Sequence, residues 1–317
     1  MTQQTPAHEL IMSDLERQRF RLMAQNAVAS ESQLWATAGI VPGARVVDIG
    51  SGPGAVLVEM ARIVAPDGEV IGVEPDHRAR NAADDEITAT GVACARVIDG
   101  TATATGLPEG DFDVVMVRHV LHHLGSAVPE AVAHAASLLR PGGCLYLVDT
   151  PAGQIREGAA GFDPDAIDFG EAYVAFQRQR GSDVTVGLRL GQLIADAGLD
   201  RVLEETIDSV VPGHLLASHG PMVEAIPAML AAGAATDADV ARWRAGLART
   251  AATPGVTLSV AQFIVVGRRS SGPEPSSTSR FSPARGRASF TRAIFCRGRI
   301  QPGLSAMGDP QARSRTR

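Results

Sequence analysis

The chain contains no lysine: all 29 basic side chains among its 317 residues are arginine. The absence reads as codon usage in a GC-rich genome rather than as chemistry. Cysteine is nearly absent too, with Cys94, Cys144 and Cys296 scattered and odd in number. That count excludes a disulfide framework, and no ligand set with metal spacing is present. Two of the three fall in predicted buried strands, where cysteine behaves as a small hydrophobe, as expected in a reducing cytoplasm. No apolar run reaches the ~18 residues that a membrane span needs. Met1 to Glu9 is polar, so no secretory signal is expected. Aromatics make up 4% of the chain, and Phe162, Phe169, Tyr173 and Phe176 concentrate in one stretch. What remains, 45% hydrophobic and 20% charged, suits one large globular domain or two small ones.

The chain is organised around Val46-Val47-Asp48-Ile49-Gly50-Ser51-Gly52-Pro53-Gly54. An apolar run ends in an acid, and three glycines follow at alternate positions. Ala55 to Ala65 then reads as a helix with Leu57, Met60, Ala61 and Val64 on one face. A strand, a glycine turn and a helix let a backbone approach a nucleotide closely, because no Cβ stands in the way. The helix start adds unpaired N–H groups. The spacing is G-x-G-x-G, not the G-x-G-x-x-G of dinucleotide sites.

Four further stretches follow in order. Val70–Glu74 is a second apolar strand ending in an acid, about 20 residues past the last glycine, where ribose-binding acids sit. A carboxylate there can accept both ribose hydroxyls. Ala95–Ile98 leads into Asp99-Gly100-Thr101. Asp111–Val117 is a fourth strand, followed by Arg118-His119-Val120-Leu121-His122-His123-Leu124. Leu138-Leu139-Arg140-Pro141-Gly142-Gly143 precedes the strand Cys144–Asp149.

Together these stretches resemble the class I S-adenosylmethionine-dependent methyltransferases, with sharp motifs over residues 45–149. The resemblance implies S-adenosyl-L-methionine as cofactor. It places Asp48, Gly50, Ser51, Gly52, Gly54, Glu74, Asp99, Gly100, Thr101 and Arg118 around it, with Asp99 toward the adenine amino group. It implies an α/β, Rossmann-like, doubly wound sheet of seven strands, the last antiparallel, with helical lids. Strands alternating with helices point independently to parallel β-α-β units, whose ligands bind at the strands' carboxyl ends.

The expected organisation is an N-terminal helical lid (1–40), a cofactor-binding core (41–150), lid helices with completion of the sheet (151–269) and a tail (270–317). Residues 10–38 read as two helices, the second capped by Ser30 with Gln33. Arg19, Arg21 or Gln25 is placed to meet the methionine carboxylate or a substrate acid, or else to form a solvated face. Asp163-Pro164 starts a helix whose aromatics either line a pocket or pack the lid. Val186–Ala197 is a helix before strand six (Arg201–Val211). An insertion with helices at Pro221–Ala232 and Thr236–Arg249 precedes strand seven, Val256–Val266. His214 and His219 lie on it. Beyond Ser270 the chain is rich in Ser, Pro, Gly and Arg, and reads as a disordered appendage or a nucleic-acid arm.

Methyl transfer from a sulfonium relies on aligning acceptor and methyl in a dry pocket. An oxygen or nitrogen acceptor must also lose a proton, which points to His119, His122 and His123 as candidate bases. The function expected from the resemblance is methylation of a small molecule, first a hydroxyl of a secondary metabolite, then nitrogen or carbon. The expected setting is the cytoplasm, without nucleic acid or a membrane span, a homodimer being left open. The alternatives are an RNA methyltransferase using the arginine tail, an NAD(P) oxidoreductase, and a non-catalytic cofactor-binding protein.

Overall fold

The computed structural model describes residues 14–151, 161–213 and 221–272. His214, His219 and the tail from residue 273 lie outside them. The first helix, α1, runs unbroken through Asp14–Ala38, which corrects the two-helix expectation. Ser30 does not cap a second helix; its hydroxyl donates back to the carbonyl of Asn26 at 2.7 Å. That i−4 bond lets serine sit inside a helix without ending it.

The core then follows as β1 (Arg45–Ile49), α2 (Ala55–Val64), β2 (Glu69–Val73), α3 (His77–Thr90), β3 (Ala95–Ile98), β4 (Phe112–Arg118), α4 (Val128–Leu138) and β5 (Leu139–Asp149). Cys94 stands just ahead of β3, half-buried, and Cys144 is buried within β5. The Asp76 side chain accepts from the N–H groups of Arg78 and Ala79, and so fixes the start of α3. Next come α5 (Pro164–Gln179), a 3₁₀ turn (Val186–Arg189), α6 (Leu190–Asp196), β6 (Asp200–Pro212), α7 (Pro221–Glu224), α8 (Ile226–Ala231), α9 (Asp237–Ala252) and β7 (Thr257–Arg268). The helix expected over 186–197 therefore begins as a tighter turn, and the one over 221–232 is broken at Ala225. Thr236 and Asp239 form a reciprocal capping box that starts α9.

The seven strands form one sheet in the order β3-β2-β1-β4-β5-β7-β6. β1 to β5 pair in parallel, and β7 runs antiparallel to both β5 and β6. Alternation along each strand sends side chains to two opposite layers. Val47 and Ile49 join the α4 and α6 layer, whereas Val46 joins the α1 and α2 layer around Trp35, Leu57 and Met60. Trp35, Leu57 and Met60 are fully buried, each large side chain contributing about 1.5–3 kcal/mol. A third cluster, separate from the sheet, joins α5, α8 and α9 around Phe169, Met229 and Trp243. Order reverses between β1 and β4, the switch point at whose carboxyl ends such sheets form a ligand crevice.

Candidate active site

Gly50 and Gly52 shape the turn that follows β1. Gly50 sits at φ 75° and donates its N–H to the carbonyl of Val73 at 2.7 Å. A Cβ there would lie 2.3 Å from Cγ2 of Val120. The turn is thereby pressed against the segment that leaves β4, and only glycine fits. Gly52, at φ 53°, has nothing within 4 Å of the position a Cβ would take. Its backbone faces open space, as a ligand cradle requires. Gly54, also left-handed, caps the start of α2. Ser51 is buried between them, and its Oγ has no hydrogen-bond partner.

Glu74 stands one residue past β2 and is 7% exposed. Its Oε2 accepts the Gly52 N–H at 3.0 Å, and its Oε1 accepts the Asp76 N–H at 3.0 Å. The acid thus ties the glycine turn to the start of α3. Burial raises its pKa, and the two N–H bonds and Arg80 oppose that rise. A carboxylate has about four acceptor directions, and these two N–H bonds use two of them. Asp99, past β3, is exposed and pairs with Nη1 of Arg80 at 2.7 Å. The same Arg80 nitrogen donates to the carbonyls of Glu74 and Pro75, which joins the ends of β2 and β3. The sequence reading passed over Arg80; its signal was a cation in the first turn after the acid. Gly100 packs under the same edge, since a Cβ there would meet Val73 Cγ1 at 2.7 Å. Thr101 is exposed and bridges backbone to backbone with Ala104.

Asp48 faces the α1 and α2 layer and is 3% exposed. Burial pushes its pKa up to about 7; the Arg118 guanidinium pulls it down and Glu74 pushes it further up. Arg118 itself is committed below the crevice. Its Nη2 donates to Glu31 on α1 at 2.9 Å and to Gln262 on β7 at 3.3 Å, while its buried Nε has no partner. Glu31 is fully buried and also accepts from the Trp35 indole and the Tyr146 hydroxyl, at 3.3 and 3.1 Å. The arginine thereby anchors α1 beneath the sheet. Arg19 and Arg21 are committed as well. Arg19 forks onto Glu16 of its own helix, and Arg21 pairs with Glu86 on α3 at 2.6 Å. Gln25 is exposed.

The three histidines cluster where β4 ends. His119 has φ 55°, the one positive value at a non-glycine residue among the described residues. Such a backbone costs about 1–3 kcal/mol and tends to mark functional sites. Burial holds the His119 pKa well below the usual imidazole range, helped by Arg118 and His122. His122 presents Nδ1 to Oδ1 of the fully buried Asp149 at 2.9 Å. His123 is exposed, with its ring 3.8 Å from that of His122, centroid to centroid.

The aromatics of α5 mostly pack the lid, as one of the two expected roles had it. Phe169 and Phe176 are buried in the lid's own core, Phe169 stacked on Trp243 at 5.1 Å. Tyr173 stays partly exposed, its hydroxyl accepting from Gln177 at 3.3 Å. Arg242 and Arg249 of α9 bind the helix start at Asp163, Asp165 and Asp168. Among the described residues, no helix is long and apolar enough to cross a membrane.

A sheet of this order, with its antiparallel seventh strand, is the Rossmann-like fold of known methyltransferase structures. Residues 47–147 match the family described as methyltransferase domain, and this core is a class I S-adenosylmethionine-dependent methyltransferase domain. Over 124 residues it is 38% identical to nocamycin O-methyltransferase of Saccharothrix syringae, covering 38% of this chain and 43% of that protein. Over 112 residues it is 30% identical to the ubiquinone/menaquinone biosynthesis C-methyltransferase of Ectopseudomonas mendocina (strain ymp), covering 35% and 43%. The chain thus spans less than half the length of these curated relatives. The fold matches a Bacillus halodurans C-125 structure provisionally assigned as a methyltransferase, with a TM-score of 0.52 at 16% identity, covering 76% of this chain and 99% of that one.

The residues fit the cofactor of this class. The open space over Gly52, the Glu74 carboxylate and the exposed Asp99 line one edge of the crevice, where methionine, ribose and adenine groups would be held in turn.

Proposed function

We propose that the chain transfers a methyl group from S-adenosyl-L-methionine to a hydroxyl oxygen of a small secondary metabolite. The observation that carries this reading is the pairing of the open glycine turn, fixed by Glu74, with an imidazole cluster at the neighbouring strand end. When bound, the cofactor supplies a sulfonium methyl, a strong electrophile needing no further activation. The chain's own tasks are then to orient the acceptor, exclude water and remove a proton. Gly50, Ser51, Gly52, Gly54, Glu74, Asp99, Gly100 and Thr101 form the cofactor side, with Asp48 acting from beneath the turn. The lid of α5 and α7–α9 closes the acceptor side. Its aromatic residues pack into a core of their own, separate from the sheet. The likeness to nocamycin O-methyltransferase supports oxygen as the acceptor atom. The likeness to a quinone C-methyltransferase supports a second reading, an acidic carbon. The reading takes the cytoplasm as the setting and calls for neither nucleic acid nor membrane.

The test is incubation of the full chain with methyl-deuterated S-adenosylmethionine and a panel of phenols, alcohols, carbon acids and RNA. Labelled methyl on hydroxyl compounds is the expected product. Label appearing only on carbon acids selects the second reading, and label appearing only on RNA overturns both.

A further inference from the structure

Asp149 is the last residue of β5 and His122 lies on the 3₁₀ turn that follows β4, the adjacent strand. Two backbone N–H groups and one imidazole nitrogen converge on the Asp149 carboxylate. Oδ1 accepts from the Thr150 backbone at 2.8 Å and meets Nδ1 of His122 at 2.9 Å, while Oδ2 accepts the His122 backbone N–H at 3.2 Å. The acid is 0% exposed, whereas 23% of the His122 side chain reaches solvent. The His122 carbonyl in turn accepts the Asp183 N–H at 2.8 Å, which fixes the turn from the lid side.

We propose that Asp149 is a positioning residue that locks His122 in one tautomer, and that His122 is the group that takes the acceptor's proton. This rests on the methyl-transfer reading above. Both carboxylate oxygens already accept a backbone N–H, so the group acts as an acceptor and the ring nitrogen facing it carries hydrogen. The neutral ring then holds its lone pair on Nε2, the nitrogen turned away from Asp149. Of the three histidines, His119 is the poorest base, because burial and Arg118 disfavour its charged form. His123 stands one ring further out.

The step balances simply. As the acceptor's bond to the methyl carbon forms and that carbon's bond to sulfur breaks, the acceptor proton passes to Nε2. The positive charge that leaves sulfur is matched by an imidazolium held against Asp149. The acceptor is therefore a neutral acid such as a phenol or alcohol, which still carries its proton on arrival.

Long-range ¹H–¹⁵N spectra of the full chain test this without an acceptor. The His122 signals are assigned by their disappearance in His122→Asn. The expected result is hydrogen on Nδ1 of His122 in the wild type and a mixed or reversed tautomer in Asp149→Asn. Hydrogen on Nε2 in the wild type, or an unchanged tautomer in the variant, overturns the proposal. His122→Asn places an amide N–H near the lost Nδ1 and so keeps the bond to Asp149 without the base. With an acceptor in hand, that variant loses about 10²–10⁴-fold in kcat with KM unchanged, and wild-type kcat in it contradicts the proposal. Failure of the wild type to bind S-adenosylhomocysteine is a separate outcome: it removes the methyltransferase reading and leaves the tautomer result standing.

Discussion

Nη2 of Arg118, at the end of β4, donates to Oε1 of Glu31 on α1 at 2.9 Å, with the two side chains 9% and 1% exposed. A buried pair of this kind is defined more by what its loss exposes than by its net gain. Glu31→Ala leaves Arg118 charged with only the neutral Gln262 as a side-chain acceptor, and removes the acceptor for Trp35 and Tyr146. We expect a loss of about 3–5 kcal/mol in urea unfolding. The double variant Glu31→Leu with Arg118→Met removes both charges and is expected to recover most of it. A double variant as unstable as the single one would show that α1 is not anchored by this pair.

Asp48 makes stability depend on pH in a direction opposite to that of most carboxylates. Its pKa rises from 3.8 to about 7 in the folded chain. Between those values the folded state holds a proton that the unfolded chain has released. The contribution is complete below about pH 4 and is lost as pH rises through 7, on the order of 4 kcal/mol across the window. Asp48→Asn should abolish that fall, so its advantage over wild type should grow from pH 4 to pH 7. Parallel stability curves for the two proteins would contradict the assignment.

The glycine turn separates two kinds of damage. Gly50→Ala drives a Cβ into Val120 and should unfold the turn. Gly52→Ala meets no protein atom and should cost only about 1 kcal/mol in thermal stability through its left-handed backbone. The same methyl occupies the cradle, so S-adenosylhomocysteine affinity should fall more than tenfold. A Gly52→Ala protein that binds normally would place the ligand elsewhere.

Trp243 stacks on Phe169 and donates its indole N–H to Asp168 at 2.8 Å. Trp243→Ala should cost about 3–5 kcal/mol locally, in line with large-to-small changes in a core. Hydrogen exchange should speed in α5 and α9 and stay slow in β1 and β4. Equal loosening of the sheet would show that the lid does not hold its own core.

Much of this was legible before the structure. β1, β2 and β4 are apolar runs closed by turns, and Asp48 and Glu74 mark the ends of the first two by position alone. The capping residues Asp76, Asp163 and Thr236 likewise announce their helices. What escaped was polar and buried. Glu31 looks like a surface acid on a polar helix, and its partner lies 87 residues away. Arg118 follows a strand that ends at the crevice, so its turn toward the opposite layer depends on the strand's phase. Asp149 was visible only as a strand end; its contact with His122, 27 residues back, needs β4 and β5 side by side. Local pattern cannot encode such pairings, because they are set by sheet order.

The most direct measurement is calorimetric titration of the full chain with S-adenosylhomocysteine, with NADH as control and Glu74→Ala beside the wild type. We expect saturable one-to-one binding of the first ligand, none of the second, and at least a tenfold loss, or about 1.4 kcal/mol, in the variant. Undiminished binding by Glu74→Ala, or binding of NADH alone, would contradict the account.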